Sequence, residues 1–326
     1  MKLVFRVDCN AKTGFGHLSR VINLCRTWVD YEGLNDFLFI GNYNQFGKEI
    51  LSNYALPYVQ IKTDDFSDLS LGELDDGDVV LIDSYLLKQS QLDELVKREG
   101  RVILIDDECL LNYVGVYAVI NFRFNAEKLY NYNSKHAFLG VEYFIVKPEL
   151  VDLRASKVDF ESGLSINNIL LFFGGGFNDH QFISSIIKHI NNKLPEVEIL
   201  LLGDFKEIRG EFTQVRSTPD FHKHLVNADA LINAGGLIKY EASFSLIPTG
   251  SFSTSALQYE DSKVLSDFGV HSDFGLIEDG FVLNKNANFN AFLDEPSVRK
   301  ELYQNAKTKY HNSPTLNLVN KLNTIL

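Results

Sequence analysis

The sequence predicts an α/β protein built from two Rossmann-like domains that face each other across a cleft. The chain has 326 residues, and at roughly 150 residues per domain this length predicts two domains, each able to bury its own core. Apolar runs rich in β-branched residues alternate with longer stretches of helical period, as in parallel sheets covered by helices. Each half opens with a strand, a glycine turn and a helix, so we expect domains at 1–150 and 151–326.

The first half contains five strand patterns, at residues 3–7, 37–40, 79–82, 102–105 and 118–120. Between the first two, the segment HLSRVINLCRTWV repeats apolar side chains at helical spacing, from Leu18 to Val29. This spacing predicts an amphipathic helix that begins near His17.

The second half contains four strand patterns, at residues 169–173, 197–202, 230–233 and 246–249. The segment 147–168 mixes Pro, Ser, Gly and charged residues, and we interpret it as the interdomain connection. In open α/β sheets ligands bind beyond the carboxyl ends of the strands. The glycine turns of both halves are therefore expected to line one cleft.

The net charge of −12 argues against a nucleic-acid-binding protein, which needs a basic surface to displace counterions from phosphates. It does not exclude a nucleotide sugar, because backbone N–H groups at helix starts can hold a diphosphate. No apolar run reaches the roughly 18 residues of a membrane span. We expect a soluble, cytoplasmic protein.

The sequence predicts no metal site and no cofactor. Three cysteines, at positions 9, 25 and 109, are far apart and form no Cys-x-x-Cys pair, so we interpret them as buried, reduced thiols. His222 and His224 are two residues apart and cannot form the i, i+4 pair of a zinc site. Asp106 and Asp107 could suggest Mg²⁺, but no third carboxylate is spaced with them.

The segment from Asp8 to His17 carries the clearest chemical signal. Glycines at 14 and 16 let backbone N–H groups approach a ligand, and His17 is expected in the first helical turn. There the helix dipole favours a neutral ring that can accept a proton. A glycine turn with a structural histidine is the alternative. A dinucleotide fingerprint is disfavoured because Ser19 replaces its third glycine.

Other candidate ligand groups follow predicted strands. Tyr85 could hydrogen-bond a sugar, whereas Asp106 more simply binds loop amides. In the second half, the turn at 174–176 could offer amides to a diphosphate, with an ordinary interdomain turn as the alternative. Glu241 follows the glycines at 235 and 236 and could accept both ribose hydroxyls; a solvated helix carboxylate is the alternative.

The segment MKLVFRVDCNAKTGFGHLSR resembles the start of the pseudaminic-acid pathway hydrolases, which cleave UDP-2,4-diacetamido-2,4,6-trideoxy-β-L-altrose to UDP and free sugar. That family includes spore-coat polysaccharide proteins and is similar in fold to GT-B glycosyltransferases. Further matching segments follow in order, namely LIDSY at 81–85, LIDDE at 104–108, LGVEYFIVKPEL at 139–150, LLFFGGG at 170–176 and NADALINAGGLIKYEA at 227–242.

This resemblance implies that His17 is catalytic. It also implies substrate contacts by Asp8, Gly14, Phe15, Gly16, Arg20, Tyr85, Gly174, Gly175, Gly176, Gly235, Gly236, Glu241 and Gln258. Gly235 and Gly236 stand where the family often has small hydroxyl residues, and two further positions depart from the family pattern. Phe177 stands where Ser and Asp are common, and Leu257 replaces the Asn of an Asn-Gln pair.

The expected activity is hydrolysis of a UDP-linked amino or deoxy sugar, in which His17 activates a water that attacks the anomeric carbon with inversion. The alternative is a GT-B glycosyltransferase in which His17 activates a sugar hydroxyl, and the loss of Asn at Leu257 favours it. A protein that binds sugar nucleotides without turnover is a third hypothesis. It leaves the histidine unexplained.

Overall fold

The chain forms two compact units, residues 1–148 with 313–326, and residues 149–312. A computed structural model describes residues 2–63, 66, 77–98, 101–109, 111–129, 132–158, 165–174, 177, 179–216, 220–278 and 281–326. The unit boundary lies close to the predicted position at 150. The C-terminal residues, however, belong to the first unit and not to the second, where the sequence had placed them.

The first unit contains a parallel seven-stranded sheet. Its strands are β1 (Leu3–Val7), β2 (Phe37–Gly41), β3 (Tyr58–Gln60), β4 (Val79–Asp83), β5 (Val102–Ile105), β6 (Ala118–Asn121) and β7 (His136–Leu139). Their order in the sheet is β3-β2-β1-β4-β5-β6-β7. This is the Rossmann order, in which the chain reverses direction across the sheet between β1 and β4 and leaves a crevice at their carboxyl ends.

In the described part of this unit, four α-helices follow strands of the sheet, namely α1 (Gly16–Glu32), α2 (Gln45–Asn53), α3 (Gln89–Arg98) and α4 (Ala126–Leu129). The helix α1 buries the predicted apolar stripe, with Leu18, Val21 and Cys25 fully enclosed. It ends at Gly33, which has a φ of 66° and donates its N–H to the last turn. The predicted start near His17 agrees with the observed one.

The second unit contains a parallel six-stranded sheet. Its strands are β8 (Asn168–Phe172), β9 (Glu198–Leu202), β10 (Thr213–Val215), β11 (Ala230–Asn233), β12 (Thr249–Ser253) and β13 (Ser272–Leu276). Their order is β10-β9-β8-β11-β12-β13. The Rossmann order thus recurs, with its crevice between β8 and β11. The predicted fold class, two Rossmann-like α/β domains, is confirmed for each unit.

Among the described residues from 148 to 312 there are seven α-helices. They are α5 (Pro148–Lys157), α6 (His180–Lys193), α7 (His222–Leu225), α8 (Ile238–Phe244), α9 (Ala256–Asp267), α10 (Ala287–Asp294) and α11 (Pro296–Lys309). The last helix, α12 (Pro314–Ile325), returns to the first unit. There Leu318 and Leu322 join its core, and Trp28 donates its indole N–H to Asn323 at 2.9 Å.

Two sequence predictions are wrong in detail. The expected strand at 246–249 is β12, which begins only at Thr249, because Leu246 adopts a left-handed conformation with a φ of 62° that ends the preceding helical turn. The expected connection at 147–168 contains the helix α5, whose first residue is Pro148. Proline is favoured at that position because its missing N–H has no partner in the first turn anyway.

In the parts of the chain that the structure describes, we find no helix that is both long and apolar enough to cross a membrane.

Candidate active site

His17 and Asp83 meet at the crevice of the first unit. His17 is the second residue of α1, the helix that follows β1, and Asp83 is the last residue of β4. The two strands are neighbours, with Val7 opposite Asp83. This register brings Nδ1 of His17 to 2.7 Å from Oδ1 of Asp83. The fold thus builds a histidine–carboxylate pair where such sheets bind ligands.

The Asp83 carboxylate selects one form of the His17 ring. An ionised carboxylate can only accept hydrogen bonds, so Nδ1 of His17 carries the proton and donates it. The lone pair of a neutral ring then lies on Nε2. Within the described residues Nε2 has no hydrogen-bond partner, and the side chain is 11% exposed. His17 can therefore accept a proton from a ligand.

Arg20 holds the same carboxylate in place from within the unit. Its Nε lies 2.7 Å from Oδ2 of Asp83 and its Nη2 lies 2.6 Å from Oδ1, a bidentate pair. Nη1 is 3.6 Å from Oδ1 of Asp107. Arg20 was predicted to contact substrate, but its side chain is only 4% exposed and its donors face these two carboxylates. The geometry favours a positioning role.

The charges of this cluster set the ionisation of Asp83. Burial alone would raise the pKa of this carboxyl, but the Arg20 guanidinium and the hydrogen-bonded His17 lower it to about 2. Burial acts in the opposite sense on Arg20, whose pKa nevertheless lies well above its ordinary value because of Asp83 and Asp107. Both groups of the ion pair therefore stay charged at neutral pH.

Tyr85 forms one wall beside His17. The two ring centroids are 4.5 Å apart and the planes meet at 82°, an edge-to-face contact. The Tyr85 hydroxyl donates to Oδ1 of Asp107 at 2.9 Å, which joins the tyrosine to the Arg20 cluster. The side chain is still 45% exposed. It remains accessible to a ligand at His17, as its predicted role requires.

Asp8, another predicted contact, lies inside the unit. Its Oδ1 accepts from Nη1 of Arg6 at 2.5 Å and from the backbone N–H of Asn42 at 2.8 Å. Both ion-pair side chains are fully buried. Asp8 therefore ties the end of β1 to the residues after β2, and this position favours support of the glycine turn over contact with a ligand.

The glycine turn itself is open. Gly14 has a φ of 66°, a conformation that suits glycine. A Cβ atom placed on Gly14 or on Gly16 would meet no atom within 4 Å, so the backbone faces free space. Phe15, between them, packs edge-to-face on Phe46 with centroids 5.1 Å apart. The turn can be approached closely by a ligand, and Phe15 anchors it.

The corresponding turns of the second unit follow β8 and β11. Gly174 has a φ of 74°, whereas Gly175 and Gly176 lie outside the described residues. Gly235 has a φ of 84°, and a Cβ there would lie 3.3 Å from Cβ of Gln258. Gly236 faces open space. Two predicted contacts, Gly235 and Gln258, are thus brought together.

Gln258 lies in the first turn of α9. Ser255 caps this helix by accepting from the backbone N–H of Gln258 at 3.3 Å. Oε1 of Gln258 accepts from the backbone N–H and the hydroxyl of Thr254, at 3.0 and 2.7 Å. The adjacent Leu257 is 57% exposed. Glu241 lies on α8, where it is partly buried.

The other titratable candidates have structural surroundings. Asp106 accepts from the backbone N–H groups of Glu108 and Cys109 and from the Tyr113 hydroxyl, which matches the loop-binding interpretation. Burial and the nearby Asp8 raise the pKa of Cys9 to about 11, so this thiol stays protonated. Among the residues described, no three His, Cys, Asp or Glu side chains are placed to hold a metal ion.

Sequence reasoning missed the partners of His17. Asp83 was covered only by the matching segment LIDSY at 81–85, and Asp107 only as half of an adjacent pair. One signal was available for Arg20, because residues three apart on a helix share a face. Glu108 was also missed; burial and Asp107 raise the pKa of its carboxyl.

The whole chain resembles solved glycosyltransferase structures. It matches the glycotransferase of kitacinnamycin with a TM-score of 0.69 and 13% identity, covering 100% of this chain and 99% of that one. It matches MurG of Acinetobacter baumannii with a TM-score of 0.65 and 12% identity, covering 99% and 100%. A third match, UGT2 of Phytolacca americana complexed with UDP-2fluoro-glucose and pterostilbene, has a TM-score of 0.67, 10% identity and coverage of 100% and 99%.

These likenesses give the chain a GT-B-like fold, as the sequence predicted. No protein-family model matches the sequence, and no curated protein matches it.

Proposed function

We propose that this protein is an enzyme that transfers a sugar from a UDP-sugar to an acceptor hydroxyl, with His17 as the general base. The observation that carries the proposal is the His17–Asp83 pair, in which Nδ1 is held at 2.7 Å by a buried carboxylate while Nε2 stays available. A base of this kind must be oriented by a third group and reachable by its substrate. His17 meets both conditions.

In the proposed reaction, Nε2 of His17 takes the proton of the acceptor hydroxyl. The acceptor oxygen bonds to the anomeric carbon as the bond from that carbon to the phosphate oxygen breaks. UDP leaves with the bonding electrons, and the anomeric configuration inverts. Donors near the diphosphate would stabilise the charge that grows on this leaving group.

The charges around His17 suit the proton transfer. Arg20 contributes one positive charge, whereas Asp83 and Asp107 contribute two negative ones. The cluster is thus negative by one charge while the ring is neutral, and it becomes neutral when Nε2 accepts a proton. Asp83 stabilises the resulting imidazolium directly through the hydrogen bond to Nδ1.

We assign the nucleotide to the second unit. Its turns after β8 and β11 are open at Gly174 and Gly236, and glycine turns and helix starts of this kind can bind a diphosphate through backbone N–H groups without a metal ion. Glu241 would accept hydrogen bonds from the ribose hydroxyls. The Phytolacca structure was solved with UDP-2fluoro-glucose, which supports UDP as the nucleotide to be tested first.

Hydrolysis is the second candidate, and the ordered matches to the pseudaminic-acid pathway hydrolases favour it. Water would replace the acceptor hydroxyl, and the sugar would be 2,4-diacetamido-2,4,6-trideoxy-altrose or a relative. Against it stands Leu257, which is 57% exposed and replaces the Asn of that family. A leucine cannot orient a water through a hydrogen bond. This replacement and the glycosyltransferase likenesses lead us to place transfer first.

One experiment separates the candidates. The purified protein is incubated with a panel of UDP-sugars, with and without sugar and phenolic acceptors, and released UDP is measured beside the His17→Asn variant. Release that requires an acceptor and yields a glycoside supports transfer. Equal release without any acceptor means hydrolysis. UDP binding by calorimetry with no turnover under either condition would contradict both and leave a binding protein.

A further inference from the structure

A buried polar network lies in the second unit, outside the groups assigned above. It connects the helices α8 and α9 with the strand β12 and the segment before β13. Five of its side chains are 0 or 1% exposed, namely Lys239, Ser251, Ser253, Ser262 and His271. Charged and hydroxyl groups are seldom enclosed in this way unless they are paired.

Lys239 is the centre of this network. Its Nζ forms an ion pair with Oδ2 of Asp261 at 2.8 Å and donates to Oγ of Ser262 at 3.1 Å. It also donates to the backbone carbonyl of Gln258 at 3.4 Å. A carboxylate, a hydroxyl and a carbonyl oxygen thus accept from the ammonium. All three lie on α9, whereas Lys239 itself lies on α8.

The hydroxyl groups carry the network to β12. Oγ of Ser262 lies 3.0 Å from Oγ of Ser251 and 3.3 Å from Oγ of Ser253. Ser251 in turn contacts Nε2 of His271 at 2.8 Å. Burial and the neighbouring Lys239 hold the pKa of His271 well below its ordinary value, so this ring is neutral and can accept from the serine.

The network adjoins the groups that we assign to the nucleotide. Lys239 is two residues before Glu241 on α8, and its carbonyl partner belongs to Gln258. Gly235 touches the same region, because a Cβ there would lie 3.3 Å from Gln258 and 3.4 Å from Oγ of Ser253. The distances between α8, α9 and the glycine turn are therefore fixed both by hydrogen bonds and by close packing.

We propose that Lys239 is a positioning residue for nucleotide binding: it ties the first two turns of α9 to α8 and so fixes Gln258 relative to Glu241. The proposal rests on the assignment of the nucleotide to this unit. An apolar side chain could fill the same space at lower desolvation cost, but it would not define the distance between the helices through directed bonds. Orientation, more than stability, is the property that Lys239 supplies.

The test compares Lys239→Met with Lys263→Met, which replaces an exposed lysine of α9. Hydrogen exchange is measured on the ligand-free proteins, followed by calorimetry with UDP. We expect Lys239→Met to speed exchange several-fold in segments 236–244 and 254–260 while β8 and β9 keep the wild-type rates. UDP should bind about tenfold more weakly, and KM for the sugar donor should rise with little change in kcat. Lys263→Met should change none of these quantities.

Ser262→Ala provides a milder variant, since it removes one hydroxyl and keeps the Lys239–Asp261 ion pair. The same two segments should exchange faster in it, by a smaller factor. Exchange that stays at wild-type rates in those segments, or that rises evenly through the unit, would overturn the positioning role. If the wild-type protein fails to bind UDP, the proposed function is wrong, and the exchange data still decide whether Lys239 orients the two helices.

Discussion

Nδ1 of His17 lies 2.7 Å from Oδ1 of Asp83, although 66 positions separate these residues in the sequence. The contact exists because β1 and β4 are neighbours in the sheet while β2 and β3 lie on the far side of β1. Arg20 also donates two hydrogen bonds to the same carboxylate. The orientation of the His17 ring is therefore fixed by groups from two different elements.

Replacing His17 with Asn should remove the proton acceptor and keep the hydrogen bond to Asp83. The carboxamide N–H can still donate to Asp83, but no lone pair of suitable basicity remains at the position of Nε2. We expect kcat to fall by about 10²–10⁴-fold, the usual effect of a lost acid–base group, with little change in UDP affinity. Steady-state kinetics and calorimetry measure the two quantities.

The exposed His311 provides the control for this variant, since His311→Asn should leave both quantities at wild-type values. Near-normal turnover in His17→Asn would mean that His17 is structural. A parallel loss of rate and UDP affinity would make it a residue that binds the ground state.

Replacing Arg20 with Lys should separate positioning from substrate contact. Lysine keeps the positive charge but cannot form the bidentate pair with Asp83. We expect a lower kcat, because the carboxylate that orients His17 gains freedom, and an unchanged KM for the donor. A rise in KM with unchanged kcat would show instead that Arg20 contacts the substrate, as the family resemblance implies.

The sequence predicted the parts of the fold that depend on local pattern. The strands at 3–7, 102–105 and 230–233 have the predicted bounds, because continuous apolar runs are buried on both faces of a parallel sheet. The missed strands β3, β7, β10 and β13 lie at the edges of the two sheets, and none of them is fully buried. Such edge strands form through pairing with a neighbour and carry little hydrophobic pattern of their own.

The candidate site was predictable only in part, for a related reason. His17 was found because glycines and a helix start surround it in sequence. Its partner Asp83 depends on which strand lies beside β1, and Lys239 is buried by a tertiary contact with Asp261. A lysine in a helix pattern ordinarily faces solvent. Periodicity contains no information on either pairing.

Because Asp83 is buried and ionised, the free energy of unfolding should depend on pH in the acidic range. Its pKa of about 2 in the folded protein is below the ordinary 3.8, so the unfolded chain binds more protons between these values. The contribution, about 2 kcal/mol, is present above pH 4 and is lost as the pH falls towards 2. The free energy of unfolding, measured with urea, should differ between the wild type and Asp83→Asn, and this difference should become smaller as the pH falls from 4 towards 2. A constant difference would contradict the ionised pair.

Replacing Glu241 with Ala tests where the nucleotide binds. Removing the carboxylate would leave the ribose hydroxyls without a charged acceptor, and such a hydrogen bond contributes about 1.5–3 kcal/mol. UDP affinity measured by calorimetry should therefore fall by roughly tenfold to a hundredfold, and unfolding should stay cooperative at a similar temperature. The exposed Glu301 on α11 supplies the control, since Glu301→Ala removes an equal charge from the same unit. Inorganic pyrophosphate, which contains no ribose, should bind to Glu241→Ala and to the wild type with equal affinity. If the variant binds UDP as tightly as the wild type, the ribose lies elsewhere, and the nucleotide must be sought away from α8.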